Sequence, residues 1–393
     1  MRRGKLPIVA AALATLGAIP VALWIGIHKT SWLGPLLADT TRAIAGPEFV
    51  ARGEDAAYDA EDRWNRWWHE GDAPKTLWPV PVTSGTCLSA APSGASASAA
   101  RLAFPPASVD PLLPDRAAQG DGAWVPMPDP RAPNDPPRMH KTLLHPDGHR
   151  PWTAVAIVAI DLTSVQVHLE AGRYVPEPTE PEARSMPRPG VVPSEHLPLL
   201  LAAFNGGFKT IHGRLGMHLR GITIVAPQPW ACTVARMKDG RIVIDTWDSL
   251  PGAPGDRLWW RQTPPCLIAN GEIAEGVNDA TQNWGSGVGG RTFIRRSAIG
   301  INPGGTVLFV GIGDAVSAAG IARAMRHVGA VTAAQLDVNW SLPKFLVFEP
   351  DRLRPGNLIP KPLYEGLSCS EDEYLREPSS RDFFYLTRLP QEP

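Results

Sequence analysis

The chain has almost no net charge: 38 Lys and Arg against 39 Asp and Glu leave −1 at pH 7. Nucleic-acid binding needs a basic patch or stripe, and this balance supplies none, so nucleic acid is not an expected partner. Charged residues of either sign are scarce, at 20% of 393 residues, so the chain is long enough for one large or two modest domains with real cores. Cysteine is scarce too. Cys87, Cys232, Cys266 and Cys369 are widely spaced, and without a Cys-x-x-Cys pair there is neither a zinc ribbon nor a thioredoxin-like site. No other spacing of acids and histidines proposes a metal, so no cofactor is expected and calcium is left open. Gly285-Ser286-Gly287 lacks the Gly-x-Ser-x-Gly elbow of serine hydrolases. Gly311-Ile312-Gly313 follows a strand but lacks the third glycine of a dinucleotide fingerprint. Internal repeats are absent as well.

What is plentiful is proline, at 42, and glycine, at 37, much of it between the periodic segments. The N-terminus places Arg2, Arg3 and Lys5 ahead of an apolar run from Leu6 to Ile27, about the ~20 residues that cross a bilayer. Residues 1–28 therefore predict a transmembrane signal-anchor helix, preferred over a cleaved signal because the nearest small-x-small site, Ala43-Ile44-Ala45, lies far downstream. Basic residues before the span put the N-terminus inside and the main domain in the periplasm or outside the cell. In an exported chain disulfides become plausible; Cys232 and Cys266 are the preferred pair, with free thiols the alternative. Residues 29–85 read as a helical juxtamembrane segment whose Trp64, Trp67 and Trp68 fall close together on a helix. They serve either as an interfacial anchor or as a face packed on their own domain. Residues 86–150, rich in Pro, Ser and Ala, read as a linker, 151–364 as the main domain and 365–393 as a C-terminal tail.

Within the main domain the pattern is mostly strand. Trp152 to Glu170, Leu197 to Phe204, Ile222 to Val225, Val234 to Met237, Ile242 to Ile244, Cys266 to Ile268 and Phe345 to Phe348 are apolar runs. Several are joined by turn chemistry such as Lys238-Asp239-Gly240 and Asn270-Gly271. Val175 to Pro193 is a proline-rich loop long enough to act as a flap. The segment 296–341 is the most ordered in pattern. Ala298 to Ile301 and Thr306 to Val310 flank the turn Asn302-Pro303-Gly304-Gly305. From Ser317 the period becomes helical, with Ile321, Met325 and Val328 on one face and Gly329 as a stop. Val331 to Leu336 returns as a strand, and Asp337 follows it at a point where a carboxylate can leave the core. The expected class is α+β: a β-rich mixed-sheet domain with a few helices, preceded by the N-terminal transmembrane helix.

The order AFNGGF at 203–208, CLIANGEI at 266–273, RSAIGI at 296–301, the strand TVLFV, the helix ending HVGAV and QLD at 335–337 resembles the phosphodiester glycosidase family, over about residues 152–349. The resemblance implies a β-rich α+β domain that hydrolyses a glycosidic bond to phosphate. It also selects Arg296, over Arg291 and Arg295, as a clamp for an anionic group. One departure stands out. Where family members carry a run of three glycines and a serine after the aspartate, this chain has Val338, Asn339, Trp340 and Ser341, so Trp340 either stacks on a different sugar or marks lost catalysis.

Asp337 and Asp314, each following apolar strand residues, are the candidate catalytic carboxylates. Glycosidases commonly use two, but a phosphate departs as a stabilised anion, and one can then suffice. Asn205, Gly206 and Gly207 offer amides to an anion or hydroxyl, unless the glycines serve a tight turn at positive φ. His218, Asn339 and Trp340 complete the candidate substrate-binding set. The sequence thus predicts a membrane-anchored, exported hydrolase acting on a sugar phosphodiester or cell-envelope glycan, its partners a glycan or sugar-phosphate ligand and the membrane. The alternative is a non-catalytic envelope module that binds or scaffolds glycan with the same pocket.

Overall fold

The computed structural model describes residues 60, 62–69, 71–79, 104–277, 293–339 and 341–389. The predicted anchor at 1–28, most of the segment 29–85, the Ser/Ala tract near 90–100 and Trp340 lie outside the described residues. Among the described residues no helix is long and apolar enough to cross a membrane.

The first strands in chain order are β1 (Val125–Met127), β2 (Met139–Leu144), β3 (Val155–Asp161), β4 (Val165–Glu170), β5 (Leu200–Asn205) and β6 (Met217–Leu219). Next come β7 (Ile222–Val225), β8 (Cys232–Met237), β9 (Ile242–Thr246), β10 (Arg257–Thr263), β11 (Ile268–Ala269) and β12 (Glu272–Ile273). The last are β13 (Ile294–Ile301), β14 (Val307–Val316), β15 (Thr332–Val338), β16 (Phe345–Pro350), β17 (Leu358–Pro362) and β18 (Phe383–Arg388), with helix α1 (Ala318–His327) between β14 and β15. They form an eight-stranded sheet in the order β1-β2-β3-β14-β13-β15-β11-β12 and two five-stranded sheets, β7-β6-β10-β8-β9 and β17-β16-β5-β18-β4.

The class is α+β and β-rich, as the periodicity predicts. The sheets are not mixed, however: every strand pairing within them is antiparallel. The turns explain this. A parallel neighbour needs a long crossover, whereas hairpin chemistry closes antiparallel pairs. Asn270 and Gly271 take φ of 53° and 80° between β11 and β12, and Asn302 Oδ1 accepts the amides of Thr306 and Val307 at 2.9 Å each to close β13 on β14. Helix α1 begins where Ser317 Oγ accepts Gly320 N at 3.0 Å and ends before Gly329 at φ 101°. Its Ile321, Ala322, Ala324 and Met325 are buried in a cluster with Ile157, Ala298 and Phe309 of the large sheet.

Two segments depart from the sequence reading. Residues 104–150 are not a linker, since β2 lies between β1 and β3 and Leu143 and Leu144 are fully buried. The prolines mislead because they stand in the turns and on the sheet edge, where β1 carries Pro126 and an unpaired side tolerates a missing N–H. Residues 365–389 are not a loose tail either, because β18 pairs with both β4 and β5 inside its sheet. Its Phe383, Phe384 and Leu386 are fully buried. The preferred disulfide is formed: Cys232 on β8 and Cys266 are bonded with Cα atoms 4.8 Å apart. Cys369 is a free thiol.

Candidate active site

The three sheets meet at one seam, and Asn205, the last residue of β5, ties it together. Its Nδ2 donates to Ser297 Oγ on β13 at 2.9 Å and to Gly206 O at 3.2 Å. Its Oδ1 accepts the Ser297 hydroxyl at 3.0 Å and the Lys344 amide at 3.2 Å. Both ends of the side chain are thus committed to protein, and Asn205 is a structural tie rather than the ligand-binding amide the sequence suggests.

The two glycines that follow are likewise engaged. Gly206 N donates to Asp382 O at 2.9 Å, and Gly207 N donates to Asp382 Oδ2 at 2.8 Å. Neither takes a positive φ; glycine is needed here for close approach. A Cβ on Gly206 would lie 2.1 Å from Asp382 Oδ2, and one on Gly207 2.7 Å from the Arg261 guanidinium carbon. Asp382 and Arg261 are both fully buried. Arg261, from β10, donates Nε to Asp382 Oδ2 at 2.9 Å and Nη2 to Oδ1 at 3.2 Å. Its remaining N–H groups reach Phe208 O at 2.6 Å and Leu215 O at 3.0 Å. This bidentate pair, satisfied on all sides, holds the Asn205–Phe208 loop.

Asp337 on β15 stands next to that loop, with its amide on Gly206 O at 3.0 Å. It does not leave the core as the strand pattern suggests; it is only 4% exposed. Its Oδ2 accepts from Arg381 Nη1 and its Oδ1 from Val338 N at 2.9 Å. Burial pushes its pKa up to about 6, opposed by the charge of Arg381 and reinforced by that of Asp382. A carboxyl in that range exchanges protons near neutrality.

These groups wall a cleft of about 210 Å³ lined by Asn205, Gly206, Gly207, Asp337 and Lys344 on one side and by the segment from Glu373 to Asp382 on the other. Lys344 Nζ pairs with Glu373, and Ser370 N donates to Glu373 Oε2 at 3.2 Å. Tyr374 takes φ 63° and stacks on Phe383 with ring centroids 4.2 Å apart. The rim is braced by the Val175–Pro193 loop, through Ser379 N to Gly190 O at 2.7 Å and Val192 N to Tyr374 O at 2.8 Å.

The other sequence candidates lie elsewhere. Arg296 is no anion clamp: it is 2% exposed, and it donates to Val316 O at 3.0 Å and Gln335 Oε1 at 3.1 Å. Strand alternation explains this, because Ser297 faces the seam and its neighbour therefore faces away. Asp314 is half exposed and pairs with Arg295, and it is not among the residues that line the cleft. His218 shares a hydrogen bond with Thr223 Oγ1 at 3.0 Å and stacks near Trp260 in the β6–β10 sheet; burial lowers its pKa. Asn339 closes a local turn on Ser341 N at 3.0 Å. Val338 packs against Phe208, Leu215 and Ala231, filling space that a glycine would leave open. Sequence reasoning missed Lys344, Glu373, Arg381 and Asp382. The available signal was the charged pair Arg381-Asp382 directly ahead of the strand-like run Phe383-Phe384-Tyr385-Leu386.

Among described residues, no cluster of three or more His, Cys, Asp or Glu side chains is arranged to hold a metal ion.

Comparison with solved structures returns the catalytic domain of zebrafish N-acetylglucosamine-1-phosphodiester alpha-N-acetylglucosaminidase, 17% identical, covering 72% of this chain and 98% of that one at a TM-score of 0.42. It also returns a hypothetical protein from Synechocystis, 11% identical, covering 65% of each chain at a TM-score of 0.36. No curated protein matches the sequence. The family model described as phosphodiester glycosidase matches residues 200–337, a span that runs from the start of β5 to Asp337. Over that span the chain is similar to that family, and Val338 and Asn339 follow directly where the resemblance expects glycines.

Proposed function

We propose that this chain is an exported, membrane-anchored glycosidase-like hydrolase that cleaves a sugar phosphodiester or a cell-envelope glycan. The observation that carries the reading is Asp337, a buried carboxyl with a pKa near 6 in the wall of a cleft that also holds Arg381 and Lys344. Arg381 spends one of its five N–H donors on Asp337, so its guanidinium fork retains donors for a phosphoryl oxygen, while the Lys344 ammonium in the same wall is already paired with Glu373. The ionised Asp337 takes a proton from water as the water oxygen bonds to the anomeric carbon. The bond from that carbon to the phosphate oxygen breaks, and its electron pair leaves with the phosphate. No second carboxyl is required to protonate such a leaving group.

A non-catalytic glycan-binding module on the same fold is the second reading. It is favoured by the two donors that already occupy Asp337 and by the packing of Val338. Incubating the purified full chain with sugar-1-phosphodiesters and with peptidoglycan fragments separates the two. Turnover that Asp337→Asn abolishes supports the hydrolase; binding without turnover supports the module.

A further inference from the structure

Residues 62–68 are helical, and successive residues on such a helix are rotated by roughly 100°. Asp62 and His69 therefore share one side, and Trp64, Trp67 and Trp68 share the opposite one. The first side is fastened to the domain. Arg150 donates Nε and Nη2 to the Asp62 carboxylate at 2.7 Å each, with both side chains largely buried. The Arg150 guanidinium lies 3.3 Å over the Phe293 ring, and the His69 ring sits 5.3 Å from that of Trp152. The second side faces outward. Trp64, Trp67 and Trp68 are 58%, 63% and 63% exposed, and their ring centroids lie 5.2 to 6.0 Å from one another.

A single exposed aromatic is ordinary, whereas three adjoining indoles form an apolar patch. The patch is not turned out by chance of packing, because an ion pair on the opposite side orients the helix. Its occupant is indicated by the sequence. The basic-flanked apolar run Leu6–Ile27 precedes it in the same chain, and indole, with an apolar body and a polar N–H, favours the headgroup level of a bilayer. Arg63 beside Trp67 is exposed, which suits anionic headgroups, while Arg66 pairs with Asp62 at 3.1 Å on the fastened side.

We propose that Trp64, Trp67 and Trp68 form a seat in the interfacial layer of a lipid bilayer, so that the domain rests on the membrane surface instead of hanging from a free tether. The choice of occupant rests on the membrane-anchor part of the proposed function, and the test separates the two.

The full chain and its Trp64→Ser/Trp67→Ser/Trp68→Ser variant are each mixed with phosphatidylcholine–phosphatidylglycerol vesicles, with and without brominated acyl chains. Flotation with the vesicles reads the anchor, and bromine quenching of tryptophan emission reads the seat. The seat predicts bromine quenching of the wild type that falls in the variant, while far-UV circular dichroism stays unchanged because the three side chains are exposed. Equal quenching in the two chains overturns the proposal. So does protection of the indoles from iodide without bromine quenching, which would mean that a protein covers them. If the wild type does not float, the anchor reading fails; quenching by added brominated vesicles would still support the seat, and its absence would overturn it.

Discussion

Asp337 holds an unusual balance for a single side chain. Burial alone would keep a carboxyl protonated at neutral pH, and a lone buried carboxylate beside Asp382 would be costlier still. Arg381 pulls the other way, and the outcome is a group that titrates at about 6. As the base of the proposed reaction it must be ionised, so kcat is predicted to rise with pH below about 6 and to level off above it. Arg381→Ala removes the opposing cation, so the midpoint of that profile should move upward; a pH–rate measurement on the variant reads this directly. Asp382 plays a different part. Asp382→Asn leaves the buried Arg261 guanidinium without its charge partner, a loss expected to cost about 3–5 kcal/mol. A denaturant titration of the variant against wild type measures it. Gly206 is similarly intolerant, since even Ala would collide with Asp382.

At the scale of elements, legibility in the sequence followed the strength of local signals. The β13–β14 hairpin, helix α1 with its glycine stop, and β15 were all readable because turn residues and a change of period mark them. Asn205, Gly206, Gly207 and Asp337 were readable as a group for the same reason, being at strand ends. Their roles were not. Which atoms a side chain spends on its own fold depends on neighbours far away in sequence, and Asp382 lies 175 positions from Gly207. Strands β2 and β18 were hidden by the prolines and charges around them, although each is held between two partner strands. Removing residues 365–393 is therefore predicted to abolish cooperative unfolding, because β4 and β5 lose the strand that joins them; thermal melts by circular dichroism check it. The Cys232–Cys266 bond closes a loop with a sequence separation of 34 and is expected to contribute about 3–4 kcal/mol through the unfolded state. Comparing denaturation midpoints of the oxidised and reduced protein tests that figure.

For the molecule as a whole, the antiparallel sheets act as a frame that brings three distant segments to one cleft: the end of β5, the end of β15 and the approach to β18. The frame carries a pH dependence of its own. Burial raises the pKa of Glu170 on β4 from 4.5 to about 7, with Arg220 opposing the shift. A folded pKa above the unfolded value means that this group's contribution is fully present below about pH 4.5 and is lost as pH rises through about 7. Glu170→Gln should accordingly flatten part of the fall in stability between those limits, as read from unfolding free energies at several pH values. The central claim concerns the cleft: that Asp337 performs chemistry and is not simply a buried partner for Arg381. The most direct measurement is the hydrolysis of a sugar-1-phosphodiester by the full chain and by Asp337→Asn, with circular dichroism confirming that both are folded. The account predicts turnover by the wild type and a loss of about 10²–10⁴-fold in the variant; equal turnover by the two folded proteins would contradict it.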